Sequence, residues 1–143
     1  MRLHMATEEV YMGGGKRIMI VDDEPSMTTY LATLLEDHGY EAHCANDPEE
    51  ALERIRDLRP DVILLDLLMP KKSGVTLFQK ISRDESLAHI PIIVVTGIHD
   101  HMIEDFRSFF SSLKLRKPFA FLEKPVVPEE LLRKVKESLA AVN

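Results

Sequence analysis

The sequence predicts a doubly wound α/β domain built on a five-stranded parallel sheet. Two observations carry that reading. Five short runs of β-branched and other apolar residues alternate along the chain with five segments whose apolar residues return every three or four positions. The runs Ile18 to Val21, Val62 to Leu65 and Ile92 to Val95 are apolar without alternation, as in strands covered by helices on both faces. Parallel strands joined by right-handed crossovers are then expected in the order 2-1-3-4-5, which opens a crevice beyond the C-terminal ends of strands one and three.

The elements follow in order. Residues 1 to 16 lack sustained periodicity and contain Gly13-Gly14-Gly15, so they read as a flexible tail or an added remnant ahead of the fold, with the domain proper spanning 17 to 143. The first strand, Ile18 to Val21, delivers Asp22-Asp23 to its exit. Pro25 suits the first turn of a helix whose stripe is Met27, Leu31, Leu34, Leu35 and His38, with Gly39 placed to end it in the left-handed region. A second strand begins near Tyr40. Asp47-Pro48-Glu49-Glu50 pairs an N-cap acid with a first-turn proline and opens a second helix striped by Ala51, Leu52, Ile55 and Leu58.

The third strand, Val62 to Leu65, ends at Asp66, a carboxylate at the exit of a buried run. Val75, Leu77, Phe78 and Ile81 define a third helix, and Ile90 with Ile92 to Val95 a fourth strand ending at Thr96. Met102, Ile103, Phe106, Phe109, Phe110 and Leu113 form the clearest helical stripe in the chain, which Pro118 cannot continue. A fifth strand lies around Phe119 to Leu122. The last helix opens at Pro128 and buries Leu131, Leu132, Val135, Leu139 and Val142.

Charge and cysteine content exclude several functions. Lysine and arginine number 18 against 24 aspartates and glutamates, a net charge of −6 that opposes general attraction to nucleic acid or anionic lipid. No direct nucleic-acid binding by this domain is expected. Cys44, the single cysteine, has no intrachain partner, and no apolar run approaches the roughly 18 residues of a membrane span. The expected setting is cytoplasmic, without membrane insertion. GGGK lacks the spacing of a phosphate-binding loop, and no GxGxxG follows the first strand.

The chemistry concentrates at one edge. Asp22, Asp23 and Asp66 all fall at the crevice, where three carboxylates repel one another unless a cation compensates. Hard Mg²⁺, with six oxygen ligands at about 2.1 Å and several retained waters, answers that need. Asp23 and Asp66 are the expected direct ligands, with Asp22 acting through water and Leu68 offering its backbone carbonyl. A carboxylate is also a nucleophile toward phosphorus, and the planar transition state spreads charge over three oxygens that need partners. Lys124, just after the fifth strand, can neutralise one of them. The Thr96 hydroxyl and the main-chain N–H groups following Asp66 and Thr96 can serve the others. No histidine or cysteine base stands beside a candidate serine nucleophile, which weakens a hydrolase triad.

From Lys16 onward the chain resembles a response-regulator receiver domain of two-component signalling, a flavodoxin-like fold. The resemblance rests on an ordered set: Asp22-Asp23, Asp66, Met69-Pro70-Lys71-Lys72-Ser73-Gly74, Thr96-Gly97 and Lys124-Pro125. It implies that Asp66 is the phosphoacceptor, that Asp22 and Asp23 organise Mg²⁺, that Thr96 follows the bound phosphoryl group and that Lys124 pairs with it. Phe121 occupies the aromatic switch position, moving inward as Thr96 shifts. The implied partner is a histidine kinase or a histidine phosphotransfer protein. Output then arises from a changed surface, a homodimer through the face of helix four, strand five and helix five, or an attached output domain.

Two departures from the family pattern stand out. Lys114-Leu115-Arg116-Lys117-Pro118 replaces a compact turn, so helix four or its following loop, and with it the partner face, is expected to be atypical. Leu68 and Ile98, two residues after Asp66 and Thr96, flank the path of an attacking water in this family, and apolar side chains cannot orient it. Slow intrinsic loss of phosphate follows.

Plainer roles compete with each assignment. Asp22 and Asp23 can be capping acids, Asp66 a solvated strand end, Thr96 a β-former, Lys124 a loop charge and Phe121 a core aromatic. His99 and His101 lack a third ligand for zinc, and Cys44 reads as packed rather than reactive. The leading function is a Mg²⁺-dependent phosphoacceptor module with slow autodephosphorylation, not a multiple-turnover enzyme. The runner-up is a seldom-phosphorylated receiver-like interaction module, and a third class is a Mg²⁺-dependent aspartyl phosphohydrolase, for which no acid or base for product release is evident.

Overall fold

The computed structural model describes residues 2–5, 8–11, 13–70, 73–97 and 107–141. Its centre is a sheet of five strands, β3 (Arg17–Val21), β4 (Glu41–Ala45), β5 (Val62–Leu65), β6 (Ile92–Thr96) and β7 (Ala120–Glu123). They lie in the order β4-β3-β5-β6-β7, every neighbouring pair parallel. This is the doubly wound 2-1-3-4-5 arrangement expected from the alternation of runs and stripes. Ahead of this sheet, β1 (Arg2–Met5) and β2 (Glu8–Tyr11) pair antiparallel. Gly13 and Gly15 then donate main-chain hydrogen bonds of 2.7 and 3.0 Å to the carbonyls of His38 and Gly39.

Helix boundaries follow local chemistry. α1 (Pro25–Glu36) opens on its proline, and α2 (Pro48–Leu58) is capped by Asp47, whose carboxylate accepts a 3.1 Å bond from the N–H of Glu49. Arg59, at φ 49°, ends α2, and Gly39, at φ 83°, turns the chain after α1. His38 lies beyond α1, its Nδ1 2.9 Å from the Leu34 carbonyl. α3 (Ser73–Arg83) and α5 (Pro128–Ala141) fall where the apolar stripes put them, and residues 107–112 are helical (α4). Ile90 lies outside β6 in a buried turn, and Phe119 precedes β7 and is exposed. Of the stripe assigned to helix four, Met102, Ile103 and Phe106 lie outside the described residues, as do Ile98, His99, His101 and Val142.

Because side chains alternate across a strand, each central strand feeds two cores. Ile18, Ile20, Val62, Leu64, Ile93 and Val95 pack against Leu31 and Leu35 of α1 and Leu131, Val135 and Leu139 of α5. Met19, Val21, Ile63, Leu65 and Val94 meet Ile55 of α2, Leu77, Phe78 and Ile81 of α3, and Phe110 of α4. Phe78 and Phe110 stack with ring centroids 4.6 Å apart, and truncating either to alanine is expected to cost about 3–5 kcal/mol. Phe109, by contrast, is 43 % exposed and not part of that core.

Candidate functional site

The ladder carries the site one residue beyond the strands. The Asp22 N–H donates to the Ala45 carbonyl at 3.2 Å, and the Asp66 N–H to the Val21 carbonyl at 3.0 Å, so both aspartates inherit the rigidity of the sheet. Asp22, Asp66 and Thr96 are almost fully buried at this edge, while Asp23 is exposed at its mouth. Carboxylate oxygens of Asp22, Asp23 and Asp66 all lie within 4.8 Å of one another. That donor set, all hard oxygen and three-fold anionic, suits a divalent cation.

Asp66 is held from several directions. Its Oδ1 accepts the Thr96 hydroxyl at 2.9 Å and the Leu68 N–H at 2.9 Å. Its Oδ2 lies 3.3 Å from Lys124 Nζ, which also donates to Asp22 Oδ2 at 2.7 Å. The Lys124 N–H in turn donates to the Thr96 carbonyl at 2.9 Å, and the Lys124–Pro125 peptide is cis. Sequence expectation thus places Asp22, Asp23, Asp66, Thr96 and Lys124 together, and the structure brings all five into one pocket.

Gly74 explains how α3 comes so close. A Cβ there would lie 2.3 Å from the Asp66 carbonyl oxygen and 2.7 Å from Leu67 Cα, so only glycine lets the helix pack on the acid's own main chain. Leu68 contributes its N–H to the site, and its side chain is 50 % exposed. Phe121 is half-buried against the α2–α3 side of the sheet, its ring 5.0 Å from the Arg107 guanidinium carbon.

The electrostatics follow from an excess of negative charge. Burial pushes the Asp22 carboxyl up, outweighing the Lys124 bond and the Glu24 N–H that stabilise its anion, and the nearby Asp66 adds to the rise. Burial pulls the Lys124 ammonium down, but the Asp22 hydrogen bond and the Asp66 charge outweigh it and hold the lysine above its ordinary range. The two rises have different main causes, burial for Asp22 and the neighbouring carboxylates for Lys124.

Sequence reasoning missed two groups. Glu24 donates its N–H to Asp22 Oδ1 at 3.0 Å and brings Oε1 to 3.9 Å from Lys124 Nζ; its adjacency to the acidic pair was the available signal. Asn46 donates through Nδ2 to the Asp22 carbonyl at 2.8 Å and to Thr28 Oγ1 at 3.2 Å. Nothing in the local sequence marks it.

A parallel sheet presenting an acid cluster, a buried hydroxyl and a lysine at one C-terminal edge defines a phosphoacceptor domain with a site for a divalent metal. Residues 18–136 match the family model of the response regulator receiver domain, and the chain belongs to that family. It is 36% identical over 127 residues to the phosphate regulon transcriptional regulatory protein PhoB of Pseudomonas aeruginosa, covering 87% of this chain and 52% of that protein. Protein PilH of the same organism is 32% identical over 124 residues, covering 87% of this chain and 98% of that one. A solved CheY-like receiver domain protein from Methanospirillum hungatei superposes with a TM-score of 0.75 at 32% identity, covering 89% of this chain and 95% of that one. The chain spans about half the length of the first curated relatives it matches, 52% and 48%. Receiver domains of this family generally partner histidine kinases or histidine phosphotransfer proteins. None of the described helices is long and apolar enough to cross a membrane.

Proposed function

We propose that Asp66 takes a phosphoryl group from the phosphohistidine of a histidine kinase or histidine phosphotransfer protein, and that the phosphorylated domain presents an altered partner surface. The observation that carries this reading is the division of labour at the Asp66 carboxylate. Oδ1 is occupied by the Thr96 hydroxyl and the Leu68 N–H, leaving Oδ2, beside Lys124, as the oxygen that attacks phosphorus. The new bond joins that oxygen to phosphorus while the donor's P–N bond breaks toward its imidazole. Lys124 then pairs with one phosphoryl oxygen, and the Thr96 hydroxyl turns from Oδ1 toward another.

Asp22, Asp23 and Asp66, with the Leu68 carbonyl, are the groups to hold Mg²⁺, which when bound offsets charge on the transferring phosphoryl group. The carboxylate spacing and the all-oxygen donor set support this choice. Movement of Thr96 is coupled to Phe121 through the β6–β7 pairing, which joins Val94 to Phe121 and Thr96 to Glu123. The resulting change reaches the α4–β7–α5 face, which serves a homodimer or an attached output domain. Phosphotransfer of this kind is set in the cytoplasm.

Intact-mass measurement after treatment with a small phosphoryl donor tests the reading. Native protein gains one phosphoryl mass only with Mg²⁺, and Asp66→Asn gains none. Absence of any gain in the native protein at saturating donor and Mg²⁺ would instead favour an interaction module, and turnover of many phosphate esters per chain a phosphohydrolase.

A further inference from the structure

The β3–β4 ladder makes its last main-chain bond where the Asp22 N–H meets the Ala45 carbonyl, at 3.2 Å. For a parallel ladder to continue, the Asp22 carbonyl would next accept from the main chain following Asn46. The strand has ended by then: β4 stops at Ala45, and Asp47 is the N-cap of α2, its side chain committed to the Glu49 N–H. The bond is made instead by a side chain, Asn46 Nδ2 donating to the Asp22 carbonyl at 2.8 Å. The same amide nitrogen donates to Thr28 Oγ1 at 3.2 Å, and Thr28, almost fully buried in α1, passes its own proton to the Pro25 carbonyl at 3.0 Å. One carboxamide thus ties together the end of β3, the first turn of α1 and the start of α2.

The peptide gripped in this way is the one between Asp22 and Asp23. Rotating its carbonyl would swing both carboxylates, because the direction of each side chain is set by the backbone on either side of that plane. On the opposite side of Asp22, its carboxylate is oriented by Glu24 N–H and Lys124. Among the described residues, the Asp22 main chain is held by the Ala45 and Asn46 contacts against the repulsion of the three clustered acids.

We infer that Asn46 is a positioning residue for the acidic pair, its carboxamide standing in for the missing ladder bond at the Asp22 carbonyl and so presetting Asp22 and Asp23 for a divalent cation. The inference rests on the metal-binding reading of the cluster above. Groups that orient ligands without touching the ion commonly change metal affinity by roughly ten-fold or more, and an effect near the lower end is expected for a single neutral hydrogen-bonding group.

The test is calorimetric titration of the whole chain with MgCl₂, run on native protein, Asn46→Ala and Asn46→Leu, with urea denaturation of each in parallel. Leucine keeps the approximate shape of asparagine without its donors. Both variants should bind Mg²⁺ about ten-fold more weakly while remaining folded at the titration temperature. Affinity in both variants within about two-fold of native, whether or not their stability falls, makes Asn46 a purely structural brace and overturns the inference. No Mg²⁺ binding by the native protein overturns the metal reading itself, a separate result that removes this inference with it.

Discussion

Lys124 Nζ lies 2.7 Å from Asp22 Oδ2, a contact between residues 102 positions apart. It is the main counter-charge for a nearly buried carboxylate, so its removal exposes the cost of that burial. Lys124→Met is expected to destabilise the protein by about 2 kcal/mol at pH 7 in urea unfolding. The pH dependence has a defined sign. A carboxyl whose folded pKa lies above its unfolded value of 3.8 binds its proton more tightly when folded, so its contribution falls as pH rises from that value through the folded one. Without the lysine that fall deepens, and the variant's deficit should therefore shrink between pH 7 and pH 4. An equal deficit at both pH values would sink the account. Lys124 itself contributes fully below 10.5, and its share is lost as pH climbs through its raised folded value.

Gly74→Ala places a methyl group 2.3 Å from the Asp66 carbonyl oxygen, against backbone that cannot swing aside. A loss of about 1–3 kcal/mol is expected, together with slower phosphoryl uptake as Asp66 is displaced. Thermal melts and intact mass measured on one preparation decide it; unchanged values for both would show that α3 can retreat freely.

Arg116 buries its guanidinium, donating Nη1 to the Ile90 carbonyl, while Nε and Nη2 have no partner among the described residues. Burial lowers its pKa to about 10. Since a charge taken from water without an anion is a net penalty, Arg116→Met should raise stability, by about 1 kcal/mol. A drop in the urea midpoint would mean that the Ile90 bond outweighs the desolvation.

Cys44 is half-buried, its thiol donating to the Thr28 carbonyl at 3.5 Å, and burial pushes that thiol above its ordinary range. With less thiolate at any given pH, alkylation of native protein at pH 8 should run at least about ten-fold slower than in urea. Equal rates would show the sulfur to be accessible and reactive.

Leu68, half exposed two residues after Asp66, has no side-chain group to orient water. The phosphorylated form is expected to last minutes or longer once donor is removed. Following the phosphoryl mass with time checks it, and decay within a few seconds would contradict it. Ile98, the second residue of that expectation, lies outside the described residues.

Much of the architecture was legible because it depends on local patterns. Continuous apolar runs marked β3, β5 and β6, and the Asp47-Pro48 cap marked the start of α2 within the sequence itself. Which ring of the Phe109-Phe110 pair is covered was not legible, because a helical stripe records period and not which neighbour arrives to cover it; Phe110 packs on Phe78 while Phe109 is exposed. The β1–β2 pair was missed because residues 1 to 16 carry neither sustained alternation nor an apolar run.

Residue types and their order along the chain were enough to establish an α/β domain with acids, a hydroxyl and a lysine at the exits of successive strands. Each strand exit is a local property, readable wherever an apolar run stops at a polar residue. Tertiary structure alone decided which atoms meet: that Thr96 and Leu68 share Asp66 Oδ1, that Lys124 bridges two aspartates, and that Asn46 completes a ladder the backbone had abandoned. Those contacts span up to 102 residues, and they exist because parallel pairing brings distant strand ends to one edge, a consequence of sheet register and not of any local sequence signal.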